Sequence, residues 1–265
     1  MLTLHHNNMS SCSQKVRLAL AEKDLDWEGR HLDLRAGDTQ TAEYLKLNPK
    51  GVVPTLDHDG RIVRESNVIL EYLEDAFPEP SLRPADAHDK ADMRLWMKRL
   101  DEGHHDLATA SLSMGIAFRH QFLARGEDEC LKLIEAVPDP VKRERRRDLI
   151  FMGLDAPVFH EAVRMWEALV ADMDKTLAGR DWLAGNAYSI ADAAYVPYLT
   201  RLDHLNALGF LDGRDALAAW YGRVRDRPSY KAAILDWKDE KYLPLMAEKG
   251  NEAWPRIQQI RAALL

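Results

Sequence analysis

The sequence predicts an α/β domain over residues 1–80 followed by an all-helical domain over residues 86–265. Three observations predict this. Short β-like runs alternate with helical runs up to about residue 80. A connector carrying Pro78, Pro80 and Pro84 then interrupts every periodicity. Beyond it the β signal nearly vanishes, and apolar residues recur at helical spacing.

Leu2-Thr3-Leu4 reads as the first strand, and residues 13–23 as a helix with Val16, Leu18, Ala19 and Leu20 at helical spacing. Residues 27–34 alternate as a second strand. Residues 41–47 form a short helix, stopped by the turn signal Asn48-Pro49-Lys50-Gly51. Residues 53–57 and 61–64 are short strands joined at Asp59-Gly60, a two-residue hairpin turn. Ser66 caps a helix carrying Val68, Ile69, Tyr72 and Leu73 and ending at Phe77-Pro78. The order β-α-β-α-β-β-α gives one crossover unit and one antiparallel pair. In the second domain Met93, Trp96, Met97, Leu100, His104 and Leu107 follow helical spacing, as do Val163, Trp166, Leu169, Val170 and Met173. Ser189-Ile190-Ala191-Asp192 is a capping box at a helix start. Residues 215–224 and 230–237 also read as helical. The basic run Lys142-Arg143-Glu144-Arg145-Arg146-Arg147 reads as a solvated helix face.

The 265 residues are 46% hydrophobic, 30% charged and 8% aromatic, which excludes a disordered chain, a collagen and a disulfide scaffold. The uncharged stretch 107–118 is too short for a bilayer, and the N-terminus has no basic region followed by an apolar core. A net charge of −7 argues against general nucleic-acid binding. Cys12 and Cys130 lie far apart and fit free thiols in a reducing cytoplasm.

Three features of the first domain can carry chemistry. Ser10-Ser11-Cys12-Ser13 sits at a helix N-terminus, where amides and dipole favour an anion such as a thiolate; simple capping is the plain alternative. Val53-Pro54 enters a strand with a residue that cannot donate to a ladder. A cis bond there would leave Val53 able to pair with an extended peptide-like ligand; an edge-strand proline is the plain alternative. Glu65-Ser66 starts a helix that can hold a carboxylate, with Glu65 able to pair with an ammonium; a cap with an acidic neighbour is the plain alternative.

Taken together these motifs resemble the cytosolic glutathione transferase superfamily. The resemblance rests on Ser10-Ser11-Cys12-Ser13-x-x-Val16-Arg17, Asn48-Pro49-Lys50-Gly51-x-Val53-Pro54 and Glu65-Ser66-x-x-Ile69-x-Glu71-Tyr72-Leu73. The capping box at Ser189 and the helix boundary Arg227-Pro228 extend it through nearly the whole chain. It implies a thioredoxin-like domain before the helical one, glutathione as co-substrate and no metal. Val53, before a cis Pro54, would pair with the cysteinyl backbone. Glu65 and Ser66 would hold the γ-glutamyl end, and Lys50 would approach the glycyl carboxylate. A loop serine would donate to the glutathione sulfur, and the thiolate would attack an electrophile held by the helical domain.

The loop leaves the activating group open. A zeta-like alignment puts it on Ser10 with Ser11 and Cys12 in support, and alignment to the β-aryl etherases of lignin-degrading bacteria puts it on Ser13. Cys12 itself is the candidate in an omega-like reading by mixed disulfide. Val52 stands where many members carry Gln, which removes a polar contact. Residues 65–79, Ser81 to Asp86 and Met93-Arg94-x-Trp96 resemble the β-etherase group, in which glutathione displaces an aryloxide beside a ketone. General or dehalogenating conjugation, a zeta-like isomerase, a Cys12 thiol transferase and a non-catalytic interaction module are the competing readings. Met97, Leu100 and His104, with Met114 and Phe118, are the candidate liners of a hydrophobic aromatic pocket; core packing is the plain alternative. The resemblance also implies a dimer, either homodimer or heterodimer.

Overall fold

The computed structural model describes residues 1–137 and 139–264. By contacts these form two compact units. One comprises Met1–Met97, Gly179–Tyr198 and Ala218–Asp239; the other comprises Lys98–Ala178, Leu199–Leu217 and the residues from Glu240 on.

The first unit contains β1 (Leu2–His6), α1 (Ser11–Glu22), β2 (Trp27–His31), α2 (Ala42–Leu47), β3 (Thr55–His58), β4 (Arg61–Arg64), α3 (Ser66–Ala76) and most of α4 (Ala87–Arg99). The four strands form one sheet in the order β2-β1-β3-β4. β1 runs parallel to β2 with Leu4 opposite Gly29, and antiparallel to β3 with Leu4 opposite Leu56. β3 and β4 close the hairpin through Asp59 and Gly60, both at positive φ. This is a thioredoxin-like sheet domain, followed by a helical domain. Val16 and Leu20 of α1, at i, i+4, and Ile69, Leu70 and Leu73 of α3, at i, i+3 and i+4 spacings, are fully buried, and the two helices pack together.

The structure differs from the sequence expectation at some boundaries. β2 stops at His31 because Asp33 Oδ1 accepts from the Arg35 and Ala36 amides and turns the chain. β3 begins at Thr55, two residues after Val53, and the Val53–Pro54 and Glu79–Pro80 bonds are both cis. The predicted helix at 230–237 is Pro228–Ala233, with Arg227 as N-cap and Pro228 in the first turn, then a separate turn at Leu235–Trp237. Buried Asp192 completes the capping box, accepting from Ser189 N and Oγ at 2.9 Å each, from Leu183 N at 3.0 Å and from Trp220 Nε1 at 2.8 Å.

In the second unit the helix Pro157–Leu177 buries Phe159, Val163, Trp166, Leu169, Val170 and Met173 along one face. The segment Leu100–Ala110 leaves helical dihedrals at Glu102 and Gly103, where φ is 119°. Cys130, Ile134 and Ile150 form a satellite core. The basic run lies on Pro140–Phe151 and spends Lys142 on Asp106 and Arg147 on Glu135. Among the described residues, no helix is long and apolar enough to cross a membrane.

Candidate active site

Three segments of the first unit carry the candidate groups. The loop from β1 to α1 is pinned from beneath by Arg17, which is 1% exposed. Its guanidinium donates to Asn7 O at 3.2 Å, Asn8 O at 3.0 Å and Ala233 O at 2.8 Å, and stacks 5.1 Å from the Trp237 ring. Burial pushes the Arg17 pKa down to about 9, so it remains charged at neutral pH. His6 Nδ1 lies 3.2 Å from Arg17 Nη1. Burial, followed by the Arg17 charge, pushes His6 down to about 3, which keeps the imidazole neutral and able to accept from Arg17.

Above this anchor Ser10 is the N-cap of α1, its Oγ accepting from Ser13 N at 3.2 Å. Capping uses a lone pair of Ser10 and leaves its hydroxyl proton for another partner. Ser13 is fully buried and its Oγ accepts from Asn7 N at 3.3 Å; Ser11 is also buried. Ser10 and Cys12 are the two loop candidates partly open to solvent, and Cys12 is in no disulfide.

The second segment is the turn around Pro54. Asn48 Nδ2 donates to Val52 O at 2.8 Å and to Thr55 Oγ1 at 3.2 Å, and the Tyr44 hydroxyl donates to Val52 O at 2.7 Å. These bonds clamp the cis bond from both sides and place Val53 just before the β3 ladder. Gly51 sits at φ 60°, and a Cβ there would lie 3.0 Å from the Thr39 carbonyl oxygen, so the position favours glycine. Tyr44 and Asn48 were not among the sequence candidates; their signal is Asn48 immediately before the turn proline.

The third segment starts α3. Glu65 occupies φ 67°, ψ 116°, a region costly for any residue with a Cβ. Its Oε1 lies 2.7 Å from Lys50 Nζ. Ser66 and Asn67 follow, both buried, and the buried Lys15 ammonium donates to Ser66 Oγ at 3.4 Å and Asn67 Oδ1 at 3.1 Å. Asn67 Nδ2 in turn donates to Met97 O at 2.9 Å. Lys15, Arg17 and Asn67 are functional-site neighbours that sequence spacing did not single out as ligands.

The candidate aromatic-pocket residues fall in different units. Met97 is buried in the first. In the second, Leu100 and His104 are buried, with His104 packed 5.0 Å from the Trp166 ring. Met114 packs on the Cys130 cluster, and Phe118 lies beneath the Arg201 guanidinium at 5.6 Å.

The architecture is thus a thioredoxin-like sheet domain with a clamped cis-proline turn, followed by a helical domain. The N-terminal domain of glutathione S-transferase matches residues 9–76 and its C-terminal domain residues 144–223. The chain is 32% identical over 261 residues to Protein LigF of Sphingobium sp. (strain NBRC 103272 / SYK-6), covering 94% of this chain and 98% of that one. The crystal structure of beta-etherase LigF from the same strain superposes with a TM-score of 0.78 at 30% identity, over 89% of this chain and 99% of that one. Tetrachloro-P-hydroquinone reductive dehalogenase of Sphingobium chlorophenolicum is 26% identical over 253 residues, covering 89% and 98%. The chain belongs to the glutathione S-transferase family, with glutathione as its co-substrate.

Proposed function

We propose that the chain activates glutathione for attack on a hydrophobic aromatic electrophile, and that this electrophile is a β-aryl ether with a neighbouring ketone. Residues 1–80 hold glutathione and residues 86–265 hold the second substrate. The backbone of Val53, beside cis Pro54, pairs with the cysteinyl residue. Glu65 takes the γ-glutamyl ammonium, while Ser66 and the α3 amides take its carboxylate. Lys50 exchanges Glu65 for the glycyl carboxylate. The Ser10 hydroxyl donates to the sulfur; Cys12 and the Ser11 and Ser13 hydroxyls support the loop. Met114 and Phe118 of the helical domain, the two pocket candidates that are not buried, take the aromatic group.

The observation that carries the glutathione reading is Glu65 held at φ 67° at the start of α3. An acidic residue kept in a costly conformation is accounted for by a ligand that needs its carboxylate there. The etherase reading is supported by 32% identity along 98% of the length of LigF.

In the reaction the thiolate sulfur attacks the carbon next to the ketone, the carbon–oxygen ether bond breaks, and the aryloxide leaves and takes a proton from water. One thioether and one phenol form, with no change of oxidation state beyond this substitution. The cytoplasm and a homodimer complete the proposal, two cysteines outside any disulfide being suited to a reducing compartment. Incubation with glutathione and a keto β-aryl ether tests it: phenol and glutathione thioether appear in equal amounts. Turnover of a chlorinated hydroquinone with no phenol release from the ether would favour dehalogenation instead.

A further inference from the structure

We infer that Lys15 is a positioning residue that fixes Ser66 as a hydrogen-bond donor and so makes the start of α3 select a carboxylate. The inference rests on the glutathione reading above and deepens it. Four consecutive groups carry it: Met97 O, the Asn67 amide, the Lys15 ammonium and the Ser66 hydroxyl, on residues that are 4%, 5%, 1% and 7% exposed.

The direction of every bond in this chain is set at its inner end. Met97 O is a carbonyl and can only accept, so the Asn67 group 2.9 Å away is Nδ2. That assignment turns Asn67 Oδ1 toward Lys15, where it accepts from Nζ at 3.1 Å. An ammonium has donors and no acceptor. Its contact with Ser66 Oγ at 3.4 Å therefore uses a lone pair of the hydroxyl and never its proton. The face of the Tyr198 ring lies 5.1 Å from the same ammonium and holds it from another side.

Ser66 has one hydroxyl proton, and it cannot point toward Lys15. It is left for a partner that accepts a hydrogen bond. A carboxylate meets that requirement with either of two charged oxygens, an amide only through its neutral carbonyl oxygen, and an ammonium not at all. Buried bonds aligned in one direction also strengthen one another. Glu65, one residue earlier, offers the opposite preference. The pair thus reads the two charges of an amino-acid head group separately: cation at Glu65, anion at Ser66. Neither Lys15 nor Asn67 touches the ligand in this scheme.

The test compares glutathione with its analogue amidated at the γ-glutamyl α-carboxylate, using the full-length protein and calorimetric binding. The wild type is expected to bind the amide about tenfold more weakly or worse, the usual scale for a hydrogen bond to a charged group. In a Lys15→Met background Ser66 is free to turn its proton inward to Asn67. The tenfold loss expected for Ser66→Ala in the wild type then shrinks to about threefold or less, and Lys15→Arg restores the full loss. Equal binding of acid and amide by the wild type overturns the inference, even if Lys15→Met fails to fold. An identical Ser66→Ala effect in both backgrounds overturns it too. Absence of any glutathione binding by the wild type would instead remove the transferase reading on which it rests.

Discussion

Lys50 Nζ lies 2.7 Å from Glu65 Oε1, joining the cis-proline turn to the start of α3. The two ends of an extended tripeptide are roughly 10 Å apart. A lysine held against Glu65 therefore cannot serve the glycyl end while Glu65 serves the γ-glutamyl end. On the proposed reading Lys50 exchanges partners when the tripeptide enters.

Lys50→Met then has opposite effects on two ligands. For glutathione it removes a contact to the glycyl carboxylate, and the dissociation constant rises by less than about fivefold, because both partners of the pair are largely solvated. For γ-glutamylcysteine, which lacks that carboxylate, it removes only the competitor for Glu65, and binding tightens. Calorimetric titration of both ligands checks this; weaker binding of γ-glutamylcysteine contradicts it.

Glu65→Gly separates stability from binding. Glycine relieves the positive φ but adds unfolded-chain entropy, and the two effects are each about 1 kcal/mol. The melting temperature is therefore expected to stay within about 4 °C of the wild type. Glutathione affinity falls tenfold or more. A large loss of stability would show that Glu65 is structural.

The loop serines differ in what they lose. Ser10→Ala removes the cap of α1, costing about 1 kcal/mol, and lowers turnover by a factor of about 100 or more. Ser13→Ala strands the part-buried Asn7 amide, costing about 1 kcal/mol, with turnover much less affected. Cys12→Ala keeps most activity. Melting curves and initial rates on the three variants decide; full activity in Ser10→Ala moves the role elsewhere in the loop.

The sequence made the α/β-then-helical order legible because period-2 and period-3.6 patterns change near residue 80. The hairpin was legible from Asp59-Gly60, and the cap of the late helix from Ser189 and Asp192. What distinguished Ser10 from Ser13 was not legible. Both are small hydroxyls near one helix start, and only the fold turns Ser13 against Asn7. The Lys15–Asn67 contact spans 52 positions, and no local pattern encodes it. The kink at Gly103 lay hidden in an unbroken apolar periodicity.

His6 makes the loop anchor sensitive to acid. Its pKa is about 3 in the folded protein against 6.5 when exposed. Above pH 6.5 neither state binds the proton, and the stability is fully present. As pH falls below 6.5 the unfolded chain takes up the proton and the folded one does not. Stability from this residue therefore declines by up to about 1.4 kcal/mol per pH unit down to about pH 3. Urea unfolding between pH 7 and pH 5 should show a steeper loss for the wild type than for His6→Gln. Equal slopes would show that His6 accepts a proton without disturbing Arg17.

The most direct test of the central claim is thermal unfolding with glutathione titrated from zero to millimolar under reducing conditions. A ligand at about 100 times its dissociation constant stabilises by about 2.7 kcal/mol. For a chain of this size that corresponds to a rise of several degrees. A saturable rise is expected, and Ser66→Ala shifts it to higher concentration. A flat response in the wild type would contradict the central claim.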